Sequence, residues 1–175
     1  MTQPPSAGVA VRRVRPEEYD AVGQLTVDAY RADDLVGTPG GAEDFYVAML
    51  RDAARRDREA EVWVAADHDG AILGTVTWCP VASTWREVAA RPDQGEFRML
   101  AVSPAARRRG VARALVTACL ARARSDGARE VVLSSLPQMT AAHALYRDLG
   151  FVRVPEHDHS PTPIVHLWAF RLRLA

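Results

Sequence analysis

Glu96-Phe97-Arg98-Met99-Leu100-Ala101-Val102-Ser103-Pro104-Ala105-Ala106-Arg107-Arg108-Arg109-Gly110-Val111-Ala112-Arg113 is the stretch on which the fold turns. Residues 96–102 read as a strand, which Pro104 stops because it has no N–H for a ladder. Ala112, Leu115, Val116, Cys119 and Ala123 recur at helical spacing, so a helix follows and runs to the Ser125-Asp126-Gly127 stop. A short basic loop joins the two. The first turn of a helix has unpaired N–H groups and a partial positive charge, and the smallness of Gly110 and Ala112 lets a phosphate reach the backbone. Arg107, Arg108, Arg109 and Arg113 add cationic donors suited to a pyrophosphate and a ribose phosphate.

Upstream, Val9, Val11 and Val14 form a short strand that ends at Pro16, and Tyr19, Val22, Leu25 and Ala29 then repeat at helical spacing. The Gly37-Thr38-Pro39-Gly40-Gly41 stretch breaks that helix. Phe45, Met49 and Ala53 mark the apolar stripe of a second helix, with Arg51, Arg55 and Arg58 on its wet side. Residues 61–66 and 71–79 read as a β-hairpin around the turn Asp67-His68-Asp69-Gly70. Residues 81–94 show no periodicity and read as a loop. Downstream, residues 131–136 are a compact apolar strand, residues 140–149 a short helix closed by Gly150, and another strand starts at Phe151. Residues 155–163 read as a loop, and residues 165–172 as an antiparallel edge or penultimate strand.

The bulk numbers agree with one enzyme-sized domain. At 175 residues the chain buries a core without staples, with residues 9–175 as a single domain behind a flexible segment 1–8. Its 22 basic residues, all arginine, balance 22 acidic ones, so bulk charge recruits no polyanion. Cys79 and Cys119 lack CxxC spacing and read as buried thiols in a cytoplasmic protein. No run approaches the ~18 apolar residues of a membrane span, and no signal peptide is visible.

Two motifs carry a resemblance to a known family. Arg107-x-x-Gly110-x-Ala112, placed after a strand and before a helix, resembles the acetyl-CoA signature R/Q-x-x-G-x-G/A of the GNAT superfamily of N-acetyltransferases. Ala142-x-x-Leu145-Tyr146-x-x-Leu149-Gly150-Phe151 is similar to that superfamily's penultimate-helix motif. The resemblance extends over roughly residues 9–170. It implies an α/β (α+β) fold with a mixed, mostly antiparallel central sheet of about seven strands, splayed at a cofactor cleft and flanked by about four helices.

The resemblance also implies the chemistry: direct attack of a primary amine, expected to belong to a small molecule, on acetyl-CoA as co-substrate, without a metal. The pantetheine arm would bond the backbone of Leu100, Ala101 and Val102, while Arg107, Arg108, Arg109, Gly110, Val111, Ala112 and Arg113 hold the pyrophosphate. Tyr146 would protonate the leaving thiolate; its alternative is a tyrosine that packs helix on sheet. Glu96 would take the ammonium proton; its alternative is a strand-end residue paired with Arg98 or another arginine. Met139 stands where many members carry an asparagine that bonds the cofactor arm, and Gln138, Thr140 or His143 are the nearest replacements. Relatives are often dimers, and no residue here decides for or against a homodimer.

His157, Asp158, His159 and His166 show no metal-ligand spacing, and His68 and His143 read as surface histidines. Asp28, Asp33, Asp34, Glu43 and Asp44 would attract a cationic amine on the acceptor side, whose walls the resemblance assigns to residues 16–58, 81–94 and 155–163. Two other readings remain open. The basic loop Arg107 to Arg113 would contact nucleic acid, or the chain would be a CoA-binding sensor without catalysis.

Overall fold

The structure is a computed structural model and describes residues 8–36 and 44–175. The glycine-rich break at 37–41, Glu43 and the first seven residues lie outside that range. Contacts divide the chain into two compact units, 1–78 with 99–118 and 79–98 with 119–175. Among the described residues there are eight strands and five α-helices, one of each more than the sequence leads one to expect.

The first unit starts with β1 (Ala10–Arg13), then α1 (Tyr19–Ala32), whose first turn carries Asp20 behind Glu17 and Glu18. Acidic residues there face the positive end of the helix dipole. The second expected helix is two: α2 (Asp44–Arg51) and α3 (Ala53–Glu59). The physical reason is Asp52, whose carboxylate accepts the Arg55 N–H at 2.9 Å and starts α3 with a cap of its own. Of the expected apolar stripe Phe45 is 74% exposed while Ala53 is buried, and Leu50 and Arg56 are buried as well.

The hairpin β2 (Glu61–Ala66) and β3 (Ile72–Cys79) pairs antiparallel, with Asp67 Oδ1 accepting the N–H groups of Asp69 and Ala71 in the turn. Val14, Val22, Ala53, Val62 and Val64 form a core cluster between these strands and helices. Arg56 is fully buried beside it and donates to Thr77 Oγ1, Thr26 Oγ1 and Leu50 O, with burial lowering its pKa to about 10. The strand order in this unit is β1-β2-β3-β4, where β4 (Gln94–Val102) starts in the second unit and ends here, ahead of α4 (Val111–Ser125).

In the second unit the order is β4-β5-β8-β6, with β7 added on β8. β5 (Glu130–Ser135) runs parallel to β4 and antiparallel to β8 (Val165–Arg173), so Val131, Val132 and Leu133 are covered on both faces. α5 (Thr140–Asp148) ends in a Schellman motif: Gly150 takes φ +91° and donates to Arg147 O, and Phe151 donates to Tyr146 O. Phe151 also packs on Tyr146 with ring centroids 5.7 Å apart. The Leu149-Gly150-Phe151 end of the motif is therefore helix-capping chemistry that fixes Tyr146.

β6 (Val152–Arg153) has two residues. The expected loop 155–163 contains a 3-10 turn, Pro155–His157, and β7 (His159–Thr162). It is ordered by Asp158, which takes Arg153 Nη1 at 2.7 Å and Nη2 at 2.8 Å together with the Ala169 N–H at 2.8 Å. β8 is the penultimate strand, between β5 and β6.

Candidate active site

In the first unit the strand-to-helix passage has an irregular backbone. Met99, buried in mid-strand, takes φ +52°, a left-handed conformation costing on the order of 1 kcal/mol for a non-glycine residue. Beyond it Ala101 is buried while Leu100 and Val102 are half-buried. The edge toward β3 is closely packed: Ser103 N donates to Leu73 O at 2.9 Å, and an ideal Cβ on Gly74 would lie 2.8 Å from Ala101 O.

A 3-10 turn, Pro104–Ala106, leads to Arg107, then Arg108 at φ +65° and Gly110 at φ +77°. A turn that carries left-handed residues brings backbone N–H groups to one side, the geometry of an anion-binding concavity. The Ala114 N–H donates to Gly110 O, so the N–H groups of Val111 and Ala112, in the first turn of α4, have no acceptor inside the helix.

The four arginines are not equivalent. Arg107 forks onto Asp33, with Nη1 to Oδ1 at 2.9 Å and Nη2 to Oδ2 at 3.0 Å. Arg113 is half-buried in the first helical turn. Arg108 and Arg109 are exposed and have no hydrogen-bond or ion-pair partner among the described residues. Asp33 thus binds an arginine of this loop, a pairing of residues 74 apart that no local spacing announces.

In the second unit the parallel ladder between β4 and β5 ends at Glu96↔Val132, although β5 continues to Ser135 on its β8 side. Phe97 and Arg98 therefore have no β5 partner, and the expected splay begins there. Tyr146 is 3% exposed and enclosed by Phe97, Phe151 and Phe170, with centroids 6.0, 5.7 and 5.7 Å away. Burial pushes its hydroxyl pKa up, so it remains a proton donor at neutral pH.

Glu96 is fully buried. It does not pair with Arg98; its Oε2 accepts the N–H groups of Glu87, Val88 and Ala89 at 3.0, 3.0 and 2.9 Å, and Glu87 N also reaches Oε1 at 3.1 Å. Burial pushes the Glu96 pKa up while the amide donors pull it down, for a net rise. Two residues earlier, Gln94 Oε1 accepts Ala90 N at 2.8 Å and Arg91 N at 2.9 Å. Arg98 instead binds Glu87 Oε2 through Nη2 at 2.5 Å and Trp85 O through Nη1 at 2.9 Å.

His143, expected on the surface, is 7% exposed. It lies on the sheet side of α5, stacked at 5.5 Å on Trp168, with Nε2 3.1 Å from Ser135 Oγ; burial lowers its pKa. Ser135 Oγ also reaches Met139 Sδ at 3.5 Å, so Met139, in the place of the family's asparagine, joins a Ser135–His143 group. Gln138 and Thr140 are exposed. Cys79 and Cys119 are buried and not joined in a disulfide, and burial raises the Cys79 pKa. Asp67, His68 and Asp69 bring ligand atoms within 4.8 Å of one another on the hairpin turn.

Sequence reading missed the contacts that residues 85–91 make with β4 and the part Gln94 plays in them. The one visible signal was the alternation of Gln94, Glu96 and Arg98, which places three polar side chains on one strand face.

Residues 20–151 match the family model described as Acetyltransferase (GNAT) family. The chain is 32% identical over 155 residues to a mycothiol acetyltransferase of Cellulomonas flavigena, a match spanning 83% of this chain and 41% of that protein. It is 35% identical over 94 residues to N-acetyltransferase family 8 member 3 of Rattus norvegicus, spanning 54% and 39%. The chain spans about two-fifths of the length of the curated relatives it matches. An acetyltransferase of the GNAT family from Staphylococcus aureus superposes with a TM-score of 0.74 at 11% identity, covering 95% of this chain and 99% of that one. The yncA protein of Salmonella typhimurium, solved with its cofactor acetyl-CoA, gives 0.66 at 20% identity, covering 97% and 95%. These likenesses show the fold.

Proposed function

Because the chain belongs to the acetyltransferase (GNAT) family, we propose that it transfers an acetyl group from acetyl-CoA to the primary amine of a small molecule. The observation that carries this is the 104–113 loop, where left-handed Arg108 and Gly110 and two unengaged guanidiniums meet the N-terminus of a helix. Those groups suit a pyrophosphate, and the residues present fit a CoA-type ligand.

When bound, acetyl-CoA would supply the activated thioester. In this reading Arg108, Arg109 and the N–H groups of Val111 and Ala112 take the phosphates, and Arg107 reaches the same ligand by exchanging Asp33 for it. The backbone of Leu100, Ala101 and Val102 bonds the pantetheine arm. Tyr146, held protonated by its aromatic surroundings, donates to the departing sulfur. Two relatives bear the name mycothiol acetyltransferase, which favours a small-molecule acceptor over a protein. Among the described residues no helix is long and apolar enough to cross a membrane, and a cytoplasmic setting and a homodimer belong to the same proposal.

The test is release of free CoA thiol from acetyl-CoA against polyamines, amino acids, aminoglycosides and peptides, repeated with Tyr146→Phe. Turnover with at least one small amine is expected, with kcat reduced roughly 100-fold in the variant and the acetyl-CoA thermal shift retained. Binding without turnover on any amine would reduce the chain to a CoA sensor. Absence of a thermal shift would remove the basis of the reading.

A further inference from the structure

Amine acetylation needs a proton acceptor, and Glu96 is already committed. Five consecutive backbone N–H groups, residues 87–91, end on two β4 side chains, Glu96 and Gln94. A fully buried carboxylate with such donors anchors a loop and has no solvent-exposed face from which to release a proton.

What the anchored loop presents is Glu87. Its Oε2 is held by Arg98, and its Oε1 lies 3.1 Å from His159 Nε2. The imidazole is 30% exposed and the carboxylate 20%, so the ring is held at Nε2 while part of it meets solvent, and among the described residues no hydrogen-bond partner stands at Nδ1. A carboxylate on Nε2 selects the tautomer with hydrogen there and leaves the Nδ1 lone pair available. The neighbouring charges are otherwise engaged: Asp158 with Arg153, and His166 Nδ1 with Ser160 Oγ at 3.3 Å. This arrangement begins at Glu96, the last β4 residue paired to β5, where the sheet opens.

The geometry points to His159 Nδ1, oriented by Glu87, as the acceptor of the ammonium proton, with Glu96 as a positioning residue that acts through the 87–91 loop. The inference rests on the proposed acetyl transfer to an amine. An N–H bond of the acceptor ammonium breaks and its proton passes to Nδ1. The freed amine pair then forms the C–N bond while the C–S pair leaves with sulfur. The second amine proton ends on the thiol through Tyr146, and His159 returns the first to solvent.

Two amines of like size separate proton removal from packing. Ethylamine is an ammonium at neutral pH, whereas 2,2,2-trifluoroethylamine is the free base. His159→Gln is expected to lower kcat/KM for ethylamine about 100-fold and to leave the value for trifluoroethylamine within about twofold of wild type. Equal losses on both amines, with the acetyl-CoA thermal shift intact, would overturn the assignment. A second readout does not need turnover: nitrogen-15 NMR of the full chain should show His159 protonated at Nε2 and bare at Nδ1, with that preference lost in Glu87→Gln and weakened in Glu96→Gln. A proton on Nδ1 in the wild type would refute the orientation even if every amine is acetylated. Failure of all amines with the expected tautomer would instead count against acetyl transfer.

Discussion

Gly74→Ala tests the packing that positions the cofactor strand. An added Cβ would meet Ala101 O at 2.8 Å, Val111 Cγ1 at 2.9 Å and Leu115 Cδ1 at 3.2 Å, all inside the 3.4 Å at which ordinary contact begins. A side-chain methyl can rotate away, but the Ala101 carbonyl is backbone of β4 and must move with its strand. Overpacking of this kind costs about 1–3 kcal/mol, against which the better strand propensity of alanine returns a few tenths. At about 2–4 °C per kcal/mol for a chain of this length, the melting temperature should fall by about 2–12 °C. Because Ala101 and Val111 both belong to the proposed cofactor site, acetyl-CoA affinity should fall as well. Differential scanning fluorimetry with and without acetyl-CoA reads both. Adding Val111→Ala should restore only part of the loss, since the shortest contact is to backbone. An unchanged or higher melting temperature with unchanged acetyl-CoA affinity would refute the claim that the packing at Gly74 leaves no room for a methyl group.

Two further outcomes are expected. Arg108→Ala with Arg109→Ala should raise the KM for acetyl-CoA roughly 10-fold per lost phosphate contact while kcat changes little, and should narrow the preference for acetyl-CoA over acetyl-pantetheine, both measured by thiol release. Glu18, whose pKa is lowered to about 2 by its hydrogen bond from Arg12 at 2.6 Å and by the Arg15 N–H, stabilises the fold at neutral pH; that contribution is lost as pH falls from its ordinary 4.5 through about 2. Glu18→Gln should flatten the acid limb of stability measured by urea unfolding across that window.

What the amino-acid sequence determined by itself was local. Helical spacing marked α1 and α4, turn chemistry and β-branched content the hairpin, a compact apolar run β5 and a closing glycine α5, because each of these signals acts over a few residues regardless of partner. The passage from β4 through the basic loop into α4 was legible for the same reason: Pro104, Gly110 and the apolar spacing of the helix mark it through nearby residues alone. The break at Asp52, the strand β7 and the burial of His143 were not legible, since each depends on a partner distant along the chain or on a single hydrogen bond. Glu96 is the sharpest case. Its sequence position fits a base at the start of a cofactor strand, but only folding shows which groups meet its carboxylate. Those groups are the amides of its own preceding loop, fixed by the return of the chain from β3 to β4. Nothing within a few residues of His159 announces Glu87, 72 positions earlier, as its partner. Local periodicity constrains which face of an element is buried, while the tertiary fold alone decides which charges and lone pairs meet there, and so which residue is free to move a proton.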